Sequence, residues 1–246
     1  MSTPESAPPF RPVLRQRWSE LLFLHWKMES ALVARRLPEG LEPDCFDEAA
    51  WVAIVPFYMS GIRVPPLPPV PGLRAFPELN LRTYVRHRAS GRSGVWFFSL
   101  EADHRLAVAV ARTIFKLPYR HTGLAVQKTA DGWVDYRATA RGDQPTAHRE
   151  LRFRYRADAA QGRPAERGSL DAFLCERYRF LSHAGGGRFL EGRVHHQPYR
   201  LCPAEVAEMD AGLFAWNGFE VPTAEPDHVI AAMPVDIAAG APRRVR

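Results

Sequence analysis

The chain has 246 residues, 46% of them hydrophobic and 24% charged, enough for one large domain or two small ones around a substantial core. Its formal net charge of +6 comes from 33 basic residues, of which only Lys27, Lys116 and Lys128 are lysine, and acidic residues are spread along the chain. Charge that is summed but not clustered argues against a nucleic-acid footprint, and no apolar run approaches the ~20 residues of a membrane span.

The opening MSTPESAPPFRP is polar and Pro-rich, without the apolar core of a signal peptide. Cys45, Cys175 and Cys202 are far apart and odd in number, with no CxxC pair. A reducing cytoplasm is therefore the expected compartment. Residues 1–12 read as a loose tail, as do residues 237–246, leaving 13–236 as a single domain.

The run LLFLHW, residues 21–26, suits a buried strand or the start of a helix, and residues 28–37 have helical composition ended by Pro38 and Gly40. WVAIVPFYM, from Trp51, is aromatic and β-branched enough for a strand, with Pro56 pointing to an edge or a bulge. VPPLPPVPG is a stiff, polyproline-like connection. In ELNLRTYVRH, Leu79, Leu81, Thr83 and Val85 alternate with Glu78, Asn80, Arg82, Tyr84 and Arg86, the period of a strand with two unlike faces. A turn at residues 90–94 leads into the partner strand VWFFSL.

Asp103 is the expected N-cap of a helix reaching about Phe115. Leu106, Val110 and Ile114, beside Ala107, Ala111 and Phe115, form its apolar stripe, and Pro118 stops it. LAVQK, WVDYRATA and ELRFRYRA read as strands joined by Asp-Gly and Gly-Asp turns. Ser169 caps a helix expected over residues 170–181. Gly185, Gly186 and Gly187 turn the chain before RFLEGRVHH, and residues after Pro203 read as short helix and loop. Strands outnumber scattered helices, which defines an α+β fold with a largely antiparallel sheet.

The sequence holds no GxGxxG after a strand, no Walker loop, no GxSxG elbow and no HExxH. His195 and His196 would point to opposite faces of a strand, and His25 in its apolar run reads as a hydrogen-bonded core histidine. No metal or other cofactor is expected. Arg152, Arg154 and Arg156 alternate with Leu151, Phe153 and Tyr155. They could clamp an acidic partner or nucleic acid, but sheet patterning favours a solvated outer face. The three lysines suit surface roles.

Glu78, Asn80, Arg82 and Tyr84 are the better candidates. Turned inward, every group on that face needs a hydrogen-bond partner and can orient a small polar ligand. Turned outward, the same face needs no explanation. The residues themselves leave the two open.

RQRWSELLFLHW, FPELNLRTYVRH, GVWFFSLEADHRLAVAVAR, LPY and LDAFLCERYRF resemble the YqjF-like bacterial family of unknown function, from about Arg15 to Pro203. That resemblance implies the acetoacetate decarboxylase-like fold, a curved antiparallel sheet enclosing a pocket for small keto or acyl compounds, with a few flanking helices. The decarboxylases carry G-R-E-x-x-G-[FY]-P-K-K, whose first lysine forms a Schiff base. Here residues 111–120, ARTIFKLPYR, look like the corresponding stretch. Arg112 matches the motif arginine and Pro118 the proline, while Tyr119 stands where the catalytic lysine belongs and Arg120 replaces its neighbour. Glu78 resembles the pocket glutamate.

Neither tyrosine nor arginine can form an iminium, so Schiff-base decarboxylation is not expected. The resemblance implies instead that Tyr119 donates a hydrogen bond or proton to a carbonyl and Glu78 acts as base. Arg82, Arg112 or Arg120 would hold a carboxylate, with Asn80 and Tyr84 lining the site. The expected partner is a small anionic carbonyl compound, bound or transformed without a Schiff base. Exposed sheet edges would also allow a homodimer.

Overall fold

The computed structural model describes residues 10–65, 75–141 and 148–245. Its strands are β1 Pro12–Ser19, β2 Leu21–Met28, β3 Leu41–Pro43, β4 Ala50–Arg63, β5 Ala75–His87, β6 Ser93–Ala102, β7 Tyr119–His121, β8 Gly123–Lys128, β9 Val134–Thr139 and β10 Glu150–Ala157. They continue with β11 Arg179–His183, β12 Phe189–His195, β13 Leu201–Cys202, β14 Ala204–Glu208, β15 His228–Ala232, β16 Val235–Gly240 and β17 Arg243–Arg244. Among the described residues four short α-helices intervene, α1 Ser30–Ala34, α2 Arg105–Ile114, α3 Leu170–Cys175 and α4 Leu213–Trp216. None of the described helices is long and apolar enough to cross a membrane.

The larger sheet closes on itself. Its pairings run β4–β1–β16–β12–β11–β6–β5 and return through β4–β5, a ring of seven strands, antiparallel except where β6 meets β11 and β7. β2, β15 and β13 extend from the first half of β4. A smaller sheet, β14-β10-β9-β8, covers the outside.

Strand alternation sorts side chains between the two spaces. Trp51, Ala53, Val55, Phe57 and Met59 of β4 face the ring's interior with Phe23, Val95, Val194 and Ile237. Val52, Ile54, Leu79 and Leu81 face the small sheet, against Tyr136, Phe153, Tyr155 and Phe214. Each space holds a buried hydrophobic cluster, so a one-residue slip in β5 would exchange its whole polar and apolar sets.

Several local expectations change. Pro56 lies within β4, paired with Leu79, and not on an outer edge. It falls between the end of the β2 pairing at Ile54 and the start of the β1 pairing at Tyr58, where the chain turns through Glu20 at φ 51°. A residue without an N–H suits that gap. The cap of α2 is His104, whose Nδ1 accepts from the Ala107 N–H at 3.2 Å. Asp103 instead meets His121 and Arg141.

Leu106, Val110 and Ile114 face outward, and Val108 is the residue of α2 that enters the core. Ser169 caps α3 as expected, but the helix ends at Cys175 because residues 179–183 are claimed by the sheet. Past Pro203 the chain contributes β14, β15, β16 and β17 beside short α4. The stretch Ile237–Gly240, expected as part of a loose tail, is the larger part of β16, the strand that pairs with β1. The Gly-Asp turn, most of the polyproline-like connection and residues 1–9 lie outside the described residues.

Candidate functional site

Glu78, Asn80, Arg82 and Tyr84 all project into the ring, because β5 keeps its even-numbered side chains on the interior face. Each is at most 9% exposed, so the polar face is turned inward. Tyr119 joins them from β7, which β6 holds in register through Leu100. Its hydroxyl donates to Glu78 Oε2 at 2.6 Å.

Burial raises the Glu78 pKa from its ordinary value to about 7, although hydrogen bonds from Tyr119 and Asn80 pull it down; nearby Glu101 adds to the rise. Burial and the neighbouring Glu78 charge push the Tyr119 hydroxyl well above its usual value, so it stays protonated as a donor. The pair therefore holds one base near neutrality and one fixed O–H. This is the arrangement that general acid–base chemistry requires.

Arg82 is different in kind. Its Nη2 donates to Tyr84 Oη at 3.3 Å and to the Leu174 carbonyl at 3.1 Å, and its guanidinium lies 5.2 Å from the Phe23 ring centroid. No carboxylate among the described residues forms an ion pair with it. Its Nε is buried without a hydrogen-bond partner, and so is Asn80 Oδ1 on the adjacent inward position. Nearby Arg177, by contrast, pairs with Asp44 at 3.0 Å.

Two expected members do not join. Arg120 follows Tyr119 by one residue, so alternation sends it to the opposite face of β7. There it meets Glu101 at 3.6 Å, the Trp216 carbonyl at 3.1 Å and Asn217 Oδ1 at 3.2 Å. Arg112 sits exposed on α2, on the solvent side of that helix. The three lysines are all exposed, so no lysine amine reaches the interior. A surface groove of about 440 Å³ between Phe10, Pro12, Val64 and Arg193 lies elsewhere and touches none of the Glu78 to Tyr84 set.

The residues missed at the level of sequence are His228 and Asp171, which join His25 in a hydrogen-bonded line leading to Tyr84. Their separations of 203 and 57 residues leave no local signal. Among the described residues no group of three or more His, Cys, Asp or Glu is arranged to hold a metal ion.

A curved, ring-closed sheet with few helices places the chain in the acetoacetate decarboxylase-like fold. Solved structures bear this out. The enduracididine biosynthesis enzyme MppR, complexed with pyruvate, superimposes with a TM-score of 0.65 at 14% identity, covering 98% of this chain and 93% of that one. An acetoacetate decarboxylase-like enzyme from Sphingomonas wittichii RW1 gives 0.61 at 12% identity over 96% and 94%. Acetoacetate decarboxylase from Legionella pneumophila gives 0.61 at 12% over 100% and 93%.

Within that fold, residues 15–236 match the DUF2071 family, described as an uncharacterized conserved protein, and the chain belongs to it. It is 38% identical over 214 residues to the uncharacterized protein YqjF of Bacillus subtilis (strain 168), covering 87% of this chain and 85% of the relative.

Proposed function

We propose that this protein binds a small anionic keto or acyl compound inside the ring and acts on it by non-covalent acid–base chemistry. The observation that carries the reading is Arg82, a buried guanidinium with no carboxylate partner among the described residues. An unpaired buried charge is costly, and an anionic ligand is what relieves the cost. Asn80 Oδ1 offers an acceptor on the neighbouring inward position. Glu78, poised near neutrality, accepts or returns a proton, and when it is protonated it can donate to Tyr119 and free the Tyr119 O–H for a carbonyl oxygen beside it.

Without an interior lysine the carbonyl stays a carbonyl, so the chemistry available is proton transfer at a neighbouring carbon or simple binding. MppR, a fold neighbour, has been solved with pyruvate, which makes pyruvate a reasonable first probe. The alternative, an Arg-rich surface for an acidic partner or nucleic acid, has less support. Each guanidinium of the Arg152, Arg154 and Arg156 ladder already holds a carboxylate, from Glu150, Asp135 and Glu205.

The test is calorimetric titration with pyruvate, acetoacetate and 2-oxoglutarate, followed by proton NMR of any binder in D2O. Binding that disappears in Arg82→Met supports the anion seat. Deuterium entering the carbon next to the carbonyl, and stopping in Glu78→Gln, supports turnover. If none of the three acids binds, or binding survives both Arg82→Met and Tyr119→Phe, the reading falls. Borohydride reduction with a bound keto acid should leave the protein mass unchanged.

A further inference from the structure

Tyr84 is the inner end of a line of side chains that the Glu78–Tyr119 pair does not use. His25 on β2 and His228 on β15 stand directly opposite one another in the sheet. Their Nδ1 atoms face each other at 3.1 Å. His228 Nε2 lies 2.8 Å from Asp171 Oδ1, and His25 Nε2 lies 2.9 Å from Tyr84 Oη. Tyr84 Oη in turn lies 2.7 Å from the Leu174 carbonyl. Asp171 and Leu174 both belong to α3, so the line leaves that helix from one residue and returns to it at another.

Counting protons fixes the direction of the line. The Leu174 carbonyl can only accept, so at 2.7 Å the Tyr84 O–H must point to it. Tyr84 then has no proton for His25, and His25 Nε2 must be the donor. His25 Nδ1 is left bare and accepts from His228 Nδ1–H. The remaining proton is shared between His228 Nε2 and the Asp171 carboxylate. The reverse order would leave two oxygens 2.7 Å apart with no hydrogen between them.

A neutral His25 fits its surroundings. Burial first, then the charges of His228 and Arg82, hold its pKa well below the ordinary imidazole value. The last two groups of the line, Tyr84 Oη and the Leu174 carbonyl, are the same two that receive Arg82 Nη2.

We propose that Asp171, His228 and His25 are positioning residues, a one-way proton line that fixes the Tyr84 hydroxyl and so holds Arg82 as the anion seat. This rests on the reading of Arg82 given above. With Tyr84 committed as donor to Leu174, its lone pairs are presented to His25 and to the guanidinium. The arginine is thereby held at one nitrogen, and the rest of its fork stays available to a carboxylate. Tyr84, expected to line the site, acts in this scheme through Arg82.

Nitrogen-15 NMR of histidine-labelled protein reads the proton order directly, with His25→Gln and His228→Gln assigning the signals. The expected result is His25 protonated at Nε2 and bare at Nδ1, with His228 carrying a proton on Nδ1. A His25 protonated at Nδ1 overturns the proposal. In Asp171→Ala the shared proton loses its partner. His25 should stay protonated at Nε2, because the Leu174 carbonyl still takes the Tyr84 proton. With His228 released, the hold of His25 on that hydroxyl loosens, and pyruvate affinity should fall roughly fivefold, the loss of about one hydrogen bond's worth of order at Arg82.

Pyruvate affinity within about twofold of the unsubstituted protein overturns the positioning role whatever the tautomer does. Should Asp171→Ala not fold, the tautomers of the unsubstituted protein decide the matter. If pyruvate does not bind that protein at all, it is the functional reading that has failed, and the His25 tautomer still decides the proton line.

Discussion

β5 and β10 both alternate arginine with apolar residues, and Arg82 in the middle of β5 meets the opposite fate to the arginines of β10. On β10 the apolar partners Leu151, Phe153 and Tyr155 are buried, which forces Arg152, Arg154 and Arg156 outward. Each finds an acid on its own or a neighbouring strand, at 2.7 Å from Arg152 to Glu150, 2.7 Å from Arg154 to Asp135 and 2.6 Å from Arg156 to Glu205. On β5 both faces are buried, one against the small sheet and one in the ring, so Arg82 has no outward option. The difference teaches that the number of covered faces, more than the spacing of charges, separates a solvated ladder from a candidate binding group.

The largest expected effect breaks that contrast at Arg82. Arg82→Met should weaken binding of a keto acid by about 2–5 kcal/mol, on the scale for a lost buried charge contact, while leaving stability equal or higher, because an unpaired buried charge gives way to an apolar side chain. Calorimetry and urea unfolding of the same sample check both halves. Loss of binding together with a large loss of stability would make Arg82 a structural residue.

Glu78 offers the next effect, through pH. Its folded pKa, about 7, lies above the unfolded value near 4.5, so between those values the folded state binds the extra proton. Stability contributed by the protonated form is present at low pH and is lost as pH rises toward 7, by about 3 kcal/mol for a shift of this size. Glu78→Gln should remove that slope from unfolding curves taken between about pH 4.5 and 8. A slope unchanged by the substitution would assign it to another group.

Tyr119→Phe sharpens the same point. The Tyr119 hydroxyl lowers the Glu78 pKa, so its loss should move the Glu78 titration upward from about 7. Carbon-13 NMR of the labelled glutamate carboxyl follows it, and a titration that stays in place would show that the hydroxyl does not hold the charged form. The smallest effects belong to β10: Arg152→Ala, Arg154→Ala and Arg156→Ala should each cost about 0.2–1 kcal/mol, shrinking with added salt, with keto-acid binding intact.

Much of this was legible in the residues, and the limits have physical causes. The alternation in ELNLRTYVRH gave β5 and its two faces, since a period of two survives any tertiary context. It could not say which face was covered, because that depends on how the sheet closes. Tyr119 was placed beside Glu78 by resemblance, and its hydroxyl stands 2.6 Å from that carboxylate. Arg120 was placed with it and went to the other face, since neighbours on a strand diverge.

The amphipathic period of α2 was real, but the side it turned inward was the one carrying Ala107 and Val108, not Leu106, Val110 and Ile114. The short helix at Ser169 ended early because sheet pairing outweighed the helical composition of the residues after Cys175. His228 was invisible as a partner of His25, since only the fold brings residues so distant in sequence into register.

The ring is completed by β16, inserted between β1 and β12. Because β1 begins at Pro12 and β16 ends at Gly240, the two ends of the domain are neighbours in the wall. During synthesis, everything from Glu78 to Tyr84 has already left the ribosome before the strand that seals the wall is made. Until β16 is in place the wall between β1 and β12 is open, and the face of β5 that carries Arg82 is unsealed. Encounter with another chain, or with a chaperone, is most consequential in that interval.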